Sequence, residues 1–170
     1  MGASITTQLQ ILSSDGWEDV YDQIFTRYGE ATSSPFTEQN YAQFAFIADV
    51  RNFACIPVIC NPRGLPAVNK QIATLGWGGL WEFNSRPDWP KHEDNHSATW
   101  FLVSELLEYD YEAVFENRRD DSNPHTSLPI GCGELMTIRE CIGPKFFEDL
   151  EILRQKGDPD KMRVIFSFSG

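Results

Sequence analysis

The sequence predicts an α+β fold: one domain over residues 1–170, with an antiparallel or mixed sheet packed by three to four helices. Three observations lead there. Residues Ile5 to Leu12 alternate, with Ile5, Leu9 and Ile11 on one side, and run into Ser13-Ser14-Asp15-Gly16, where Asp-Gly tolerates the positive φ of a tight hairpin turn. Gly143-Pro144 opens an amphipathic helix. Met162 to Ser169 closes the chain as a strand, Val164, Phe166 and Phe168 alternating with Ile165, Ser167 and Ser169.

Composition narrows the function classes. A chain of 170 residues can bury a proper core, and 41% hydrophobic residues is ordinary for a globular protein. The formal charge of −11 argues against a nucleic-acid backbone as main partner and suits solubility or a basic protein partner. No apolar run is long enough to span a bilayer, and the N-terminus lacks a basic-then-apolar signal, so a cytoplasmic location is expected. Cys55, Cys60, Cys132 and Cys141 have neither zinc-knuckle nor disulfide-scaffold spacing and read as mostly buried free thiols.

Taken in order, Trp17 to Tyr21 returns antiparallel to the first strand, and residues 26–40 read as a polar loop. Asn40 caps a helix expected to run to about Asn52, whose last turn carries Asp49, Arg51 and Asn52. Arg51 there either meets the negative helix end or Asp49, or binds an anion. Phe53 to Cys60 is broken by Pro57 and can form only an edge strand or extended loop. Asn61 to Pro66 is a rigid turn that holds Arg63 at little entropic cost, for an anion, a helix end or a carboxylate. Ala67 to Leu75 reads as a short helix. Trp77, Trp81, Trp89 and Trp100 crowd one glycine- and proline-rich interval, with Arg86 as a cation–π neighbour, and either plug an irregular core or offer stacking platforms.

The stretch His92 to Tyr111 concentrates unusual residues. Its His92-Glu93-Asp94-Asn95-His96 matches the H-E-x-x-H zinc pattern, which needs both histidines on one helix face. Pro90, the weak helix formers Asp94 and Asn95, and the lack of an apolar face argue instead for a solvated loop, so neither metal nor cofactor is expected. Ser97 to Val103 is strand-like, Ser104 is placed to cap a helix ending near Asp110, and Glu105 suits its first turn. Glu112 to Pro129 reads as an exposed excursion with His125 in solvent, and Glu134 to Ile142 as a strand or a short helix. Phe146, Phe147, Leu150 and Leu153 form the buried side of the helix that Pro144 opens and Gly157 closes.

The segments Ala48-Asp49-Val50-Arg51-Asn52, Pro62-Arg63-Gly64-Leu65-Pro66, and Asp94-x-His96-Ser97-x-x-Trp100 followed by Glu105-Leu106-Leu107-x-Tyr109-Asp110 together resemble a family of small uncharacterised bacteriophage-encoded proteins. The resemblance covers most of the chain. It implies a phage product working in the cytoplasm of a bacterial host cell and transfers no catalytic role. It also implies that His96 and Ser97 recur while the His92-Glu93 pair does not, and it directs attention to Asp49, Arg51, Arg63, His96 and Ser97.

Three functions compete. The favoured one is a non-enzymatic accessory protein that sequesters a small anionic ligand, such as a nucleotide signal, or docks on a host protein to counter host defence. Its candidate ligand-binding residues are Arg51, Asn52, Arg63, Asp94, His96, Ser97, Trp81 and Trp100, since an anionic nucleotide needs cations beside aromatic rings. The second is a hydrolase using His96 as general base, oriented by Asp94 or Glu105, with or without metal. The third is an acidic DNA mimic or protein-interaction inhibitor presenting Glu105, Glu108, Asp110, Glu112 and Glu116. The first carries a geometric expectation: Arg51, Arg63 and His96 converge beside indole rings in one concavity.

Overall fold

A computed structural model of the chain describes residues 2–66 and 95–170. The fold is α+β and is organised around its last strand. β1 (Ser4–Ser13), β2 (Gly16–Asp19), β5 (Asn95–Leu102) and β8 (Met162–Ser169) form a four-stranded antiparallel sheet in the order β2-β1-β8-β5. Ser13 pairs with Gly16 across the expected two-residue turn, with Gly16 at φ 108°. β8 is flanked on both sides, which explains why it is buried along nearly its whole length. Its register sets Ile5 beside Phe168, Thr7 beside Phe166 and Leu9 beside Val164.

That face meets the helices. α1 (Tyr41–Ala48) is capped as expected by Asn40, whose Oδ1 accepts from Gln43 N at 3.1 Å and whose Nδ2 donates to Ile142 O at 2.7 Å. α2 (Val103–Glu108), α3 (Ile138–Ile142) and α4 (Pro144–Lys156) follow, with a 3-10 turn at Pro159–Lys161. Aromatic rings fill the layer between: Phe36 stacks on Phe146 at 4.7 Å and on Phe166 at 5.9 Å, and Phe44 meets Phe168 edge-on at 5.3 Å. Each such ring removed from water contributes roughly 1.5–3 kcal/mol. Asp149 is buried among them. It accepts from Phe36 N at 2.8 Å and pairs with Lys145 at 2.8 Å, while burial pushes its carboxyl up.

The opposite face is polar yet also buried. Arg163 donates from Nε to Gln10 Oε1 at 2.8 Å, and Gln10 donates to Asp19 at 2.9 Å. The Arg163 guanidinium lies 4.2 Å from the Trp17 ring and 5.9 Å from that of Trp100, and burial pushes its pKa down to about 10.

Several local expectations are corrected. Residues 26–40 are not all loop: β3 (Phe25–Arg27) and β4 (Glu30–Thr32) form a tight hairpin, because Tyr28 and Gly29 both adopt positive φ. α1 stops at Ala48 rather than near Asn52, because Asp49 turns left-handed (φ 59°) and its N–H closes onto Ala45 O and Phe44 O. Ser104 does not cap α2. The cap position is Leu102, and the Glu105 carboxylate accepts its N–H at 2.9 Å; the helix ends at Glu108. Glu134 to Ile142 is both a strand and a helix: β7 (Glu134–Thr137) pairs with β6 (Val114–Asn117), and Thr137 then caps α3 by accepting from Glu140 N. Residues 53–60 form no strand: the segment opens on a turn at 53–54, Cys55 holds positive φ, and 59–60 bend. The helix expected at Ala67 to Leu75, and Trp77, Trp81, Arg86, Trp89, His92, Glu93 and Asp94, lie outside the described residues. No described helix is long and apolar enough to cross a membrane.

Candidate functional site

The loop that follows α1 is built by its own side chains. Asp49, Arg51 and Cys55 all hold positive φ, a conformation costly for arginine and cysteine unless the surroundings enforce it. Asn52 supplies that enforcement. Its Nδ2 donates to Asp49 Oδ1 at 2.8 Å and to Ile56 O at 3.0 Å, and its Oδ1 accepts from Ile56 N at 2.9 Å. The amide expected to touch a ligand is therefore a strap across the loop that presents Arg51.

Residues 118–128 close over this loop. Arg118 donates from N to Ala54 O at 2.9 Å, and Ser127 donates from Oγ to Phe53 O at 2.6 Å. Arg118 and Leu128 clasp the base of the excursion through a 2.6 Å backbone bond and a 2.7 Å bond from Arg118 Nε. At the tip, Asp120 accepts from Ser122 N and Oγ, which holds its carboxyl below the usual range. The stretch is exposed, as expected, but internally bonded.

Between the two lies a cavity of about 230 Å³. Tyr41 and Ala42 from the first turn of α1, Phe53 and Ala54 from the strapped loop, and Cys141 from α3 form its apolar walls. Arg51, Asn117, Arg119, Pro124 and His125 complete the lining. His125 stands edge-on to Phe53 at 5.8 Å. Asn117 Oδ1 accepts from Arg119 N at 3.1 Å and so fixes where that arginine starts. The Arg119 side chain is 52% exposed, and its nearest carboxylate, at 4.0 Å, is the 99% exposed Asp121. Such a surface pair is weak and easily displaced. Burial pushes the Cys141 thiol up, against an opposing pull from the Arg119 charge.

Among the described residues, the other sequence-predicted ones, Asn52, Arg63, His96, Ser97 and Trp100, do not line this cavity. Arg63 is held by Glu105 through two bonds of 2.8 and 2.6 Å, donates to Trp100 O at 3.1 Å, and lies 4.9 Å from the Trp100 ring and 4.8 Å from that of Phe101. Of the roles open to it, pairing with a carboxylate is the one it takes. The Arg63 bonds hold Glu105 below the usual carboxylate range, against an opposing effect of burial. Trp100 thus has two guanidiniums near its ring, those of Arg63 and Arg163. His96 sits elsewhere on β5, its ring stacked on Phe168 at 6.4 Å. Among the described residues the convergence of Arg51, Arg63 and His96 is not found: Arg51 lines the cavity, and neither Arg63, His96 nor Trp100 does.

Ser97 departs from strand geometry. Neighbouring residues of a regular strand point to opposite faces, but Ser97 has φ 55° within a bulge between His96 and Thr99. Its Oγ therefore comes 3.0 Å from His96 Nδ1, while His96 Nε2 lies 3.2 Å from Gly170 O. A carbonyl only accepts, so Nε2 carries a proton, and in the neutral ring Nδ1 then accepts the serine hydroxyl. None of the described cavities is lined by either residue. Among the described residues no group of three His, Cys, Asp or Glu side chains could hold a metal ion.

Sequence reasoning missed Arg119, His125, Asn117, Tyr41, Phe53 and Cys141. One signal was available: Arg118-Arg119 and His125 place two of 14 basic residues and one of three histidines in a single short excursion of an acidic chain. No protein-family model, curated protein or solved structure matches this chain.

Proposed function

We propose that the protein is a binding protein for a small anionic ligand, taken up in the cavity between the strapped loop and residues 118–128. The carrying observation is the gathering of Arg51, Arg119 and His125 around aromatic and apolar walls in a chain of net charge −11. Cations beside ring faces are what an anion with an aromatic body needs. The resemblance to phage-encoded proteins supplies the setting, an accessory factor that withdraws a ligand from a bacterial host process. A thermal-shift screen against a nucleotide panel tests it. A ligand that binds only the folded state at 100 times its Kd adds about 2.7 kcal/mol of stability. No shift with any anionic nucleotide, at concentrations up to millimolar, removes the reading.

A second reading, a hydrolase, has one observation in its favour: the hydroxyl of Ser97 on the unprotonated nitrogen of His96. Turnover of an activated ester, lost in both His96→Ala and Ser97→Ala, is the result it requires. An inert wild-type protein ends it.

A further inference from the structure

The cavity uses one side of α3, and a different surface begins on the other. Cys141 lines the cavity, whereas Arg139, Glu140 and Gly143 line a groove with Pro144, Phe147, Glu148 and Glu151 of α4. We propose that this groove, together with the outer face of the β6–β7 ribbon beside it, docks a segment of a partner protein in which lysine or arginine alternates with aliphatic side chains.

The apolar part consists of side chains that the fold leaves uncovered. Val114 pairs with Thr137 and Glu116 with Leu135, so strand alternation puts all four on one face of the ribbon. Val114 is 64% exposed and Leu135 72%, whereas Phe115, on the other face, is buried. The carboxylate on the exposed face, that of Glu116, is drawn aside by the N–H groups of Gly131 and Gly133. Large aliphatic side chains exposed together mark an interaction surface. Thr137 joins this face to the groove: its hydroxyl lies 3.2 Å from Glu140 Oε1, and Glu140 is part of the groove wall. There Pro144 and the half-buried Phe147 continue the apolar floor.

Charge identifies the partner. Arg139 lies 4.1 Å from the centre of the Phe147 ring but is paired with Glu112, and Glu151 is paired with Arg154. Those charges are answered within the fold. Glu148, 65% exposed, keeps only a 4.0 Å contact with Lys145, which Asp149 holds more closely at 2.8 Å. Glu140 accepts the Thr137 hydroxyl and pairs with no cation among the described residues. Two carboxylates thus stand beside an apolar floor with their charge largely uncompensated, which calls for cations spaced by aliphatic groups. A second copy of the chain would instead set like charges together, in a molecule of net charge −11. At about 1.5 Å per residue, Pro144 to Glu151 runs about 10 Å along α4, long enough to seat several residues of an extended segment rather than one side chain.

Fluorescence anisotropy with a labelled peptide that alternates lysine and leucine tests this on the full chain, beside a peptide with serine in place of every leucine. The lysine–leucine peptide is expected to bind about tenfold tighter than its serine counterpart, and to weaken in 1 M salt, where screening acts over about 3 Å. Glu140→Lys with Glu148→Lys should weaken it about tenfold or more, and Leu135→Thr several-fold; Glu18→Lys with Glu30→Lys, an equal change of charge away from the groove, should cost at most about threefold. Circular dichroism checks that each variant folds. Equal losses in the two charge-reversed pairs would assign the binding to net charge and overturn the proposal. Equal binding of the serine peptide would leave a plain cation site, open to a polyamine, and overturn it as well. So would a lysine–leucine peptide that does not bind, or a peptide-free dimer in sedimentation that Leu135→Thr abolishes, since a second copy would then occupy the face. None of these results bears on the anion-binding cavity, whose nucleotide screen is read separately.

Discussion

Two arginine-rich regions of this protein look alike in sequence and behave as opposites in space. On the sheet, Arg63 and Arg163 both approach the Trp100 ring, one committed to Glu105 and the other buried against Trp17 and bonded to Gln10. Around the cavity, Arg119 extends into solvent with a loose contact to an exposed aspartate. Beside it, Arg51 is held up by a strained loop that Asn52 braces. A cation beside an indole resembles a binding site in either case. The partners separate the two cases: Arg63 and Arg163 are engaged by the fold, whereas Arg119 keeps only a loose pair with an exposed aspartate among the described carboxylates.

That contrast can be broken by substitution. Arg163→Ala should cost most, about 2–4 kcal/mol, because it leaves the buried Gln10 oxygen without its donor and strips a cation from Trp17. Urea unfolding measures it, and ligand binding per folded molecule should not change. Arg119→Ala should do the reverse. Affinity for the anionic nucleotide that stabilises the protein most should fall about 10–100-fold, the equivalent of roughly 1.5–3 kcal/mol for hydrogen bonds to a charged group, with the unfolding midpoint unmoved. Asn52→Ala sits between: about 1–2 kcal/mol of stability should go with the strap, and affinity should drop as Arg51 loses its fixed position, read by unfolding and titration on the same sample. A binding loss without a stability loss would show that Asn52 touches the ligand after all.

The smallest effect belongs to the Arg63–Glu105 pair. Both side chains are about one-third exposed, so Glu105→Gln should cost no more than about 1 kcal/mol at neutral pH. The sign of its pH dependence is fixed. Arg63 depresses the folded-state pKa of Glu105 below its ordinary 4.5, so the wild-type advantage is full above that value. It should vanish as pH falls through the depressed one, which unfolding curves of both proteins between neutral and acidic pH will show. A gap that widens on acidification would mean that another group sets it.

The sheet and α4 were legible because their signals are local. Alternation marks β1 and β8, Asp15-Gly16 marks the turn, and Pro144 with Gly157 brackets the helix. Sequence neighbours decide such features. The cavity depends on four separate segments meeting, and no local pattern encodes that meeting. Sequence reasoning offers Arg51 as part of a helix's last turn, but the helix ends at Ala48, four residues before the expected Asn52, and Arg51 belongs to the loop that lines the cavity. Arg119 and His125 looked like ordinary solvated turn residues, because an excursion rich in Asp, Asn and Ser gives no hint that it will be stapled to residues 53–54. Ser97 was expected to point away from His96, as strand periodicity demands; the bulge that overrides it turns on a single positive φ. Four of the five carboxylates considered as an acidic face are occupied internally: Glu105 by Arg63, Asp110 by the Glu112 N–H, Glu112 by Arg139 and Glu116 by the N–H groups of Gly131 and Gly133.

The clasp between Arg118 and Leu128 has a consequence for how such a molecule can change. The backbone and Ser127 hydroxyl bonds fastening the excursion to the body come from its two ends, whereas Pro124 and His125 sit near its tip. Residues 120–126 therefore form a cassette: they can be rewritten, lengthened or grafted from a cousin while the sheet and its aromatic layer remain as they are. Selection acting on a stretch of seven residues could retarget the mouth without asking the rest of the chain to refold.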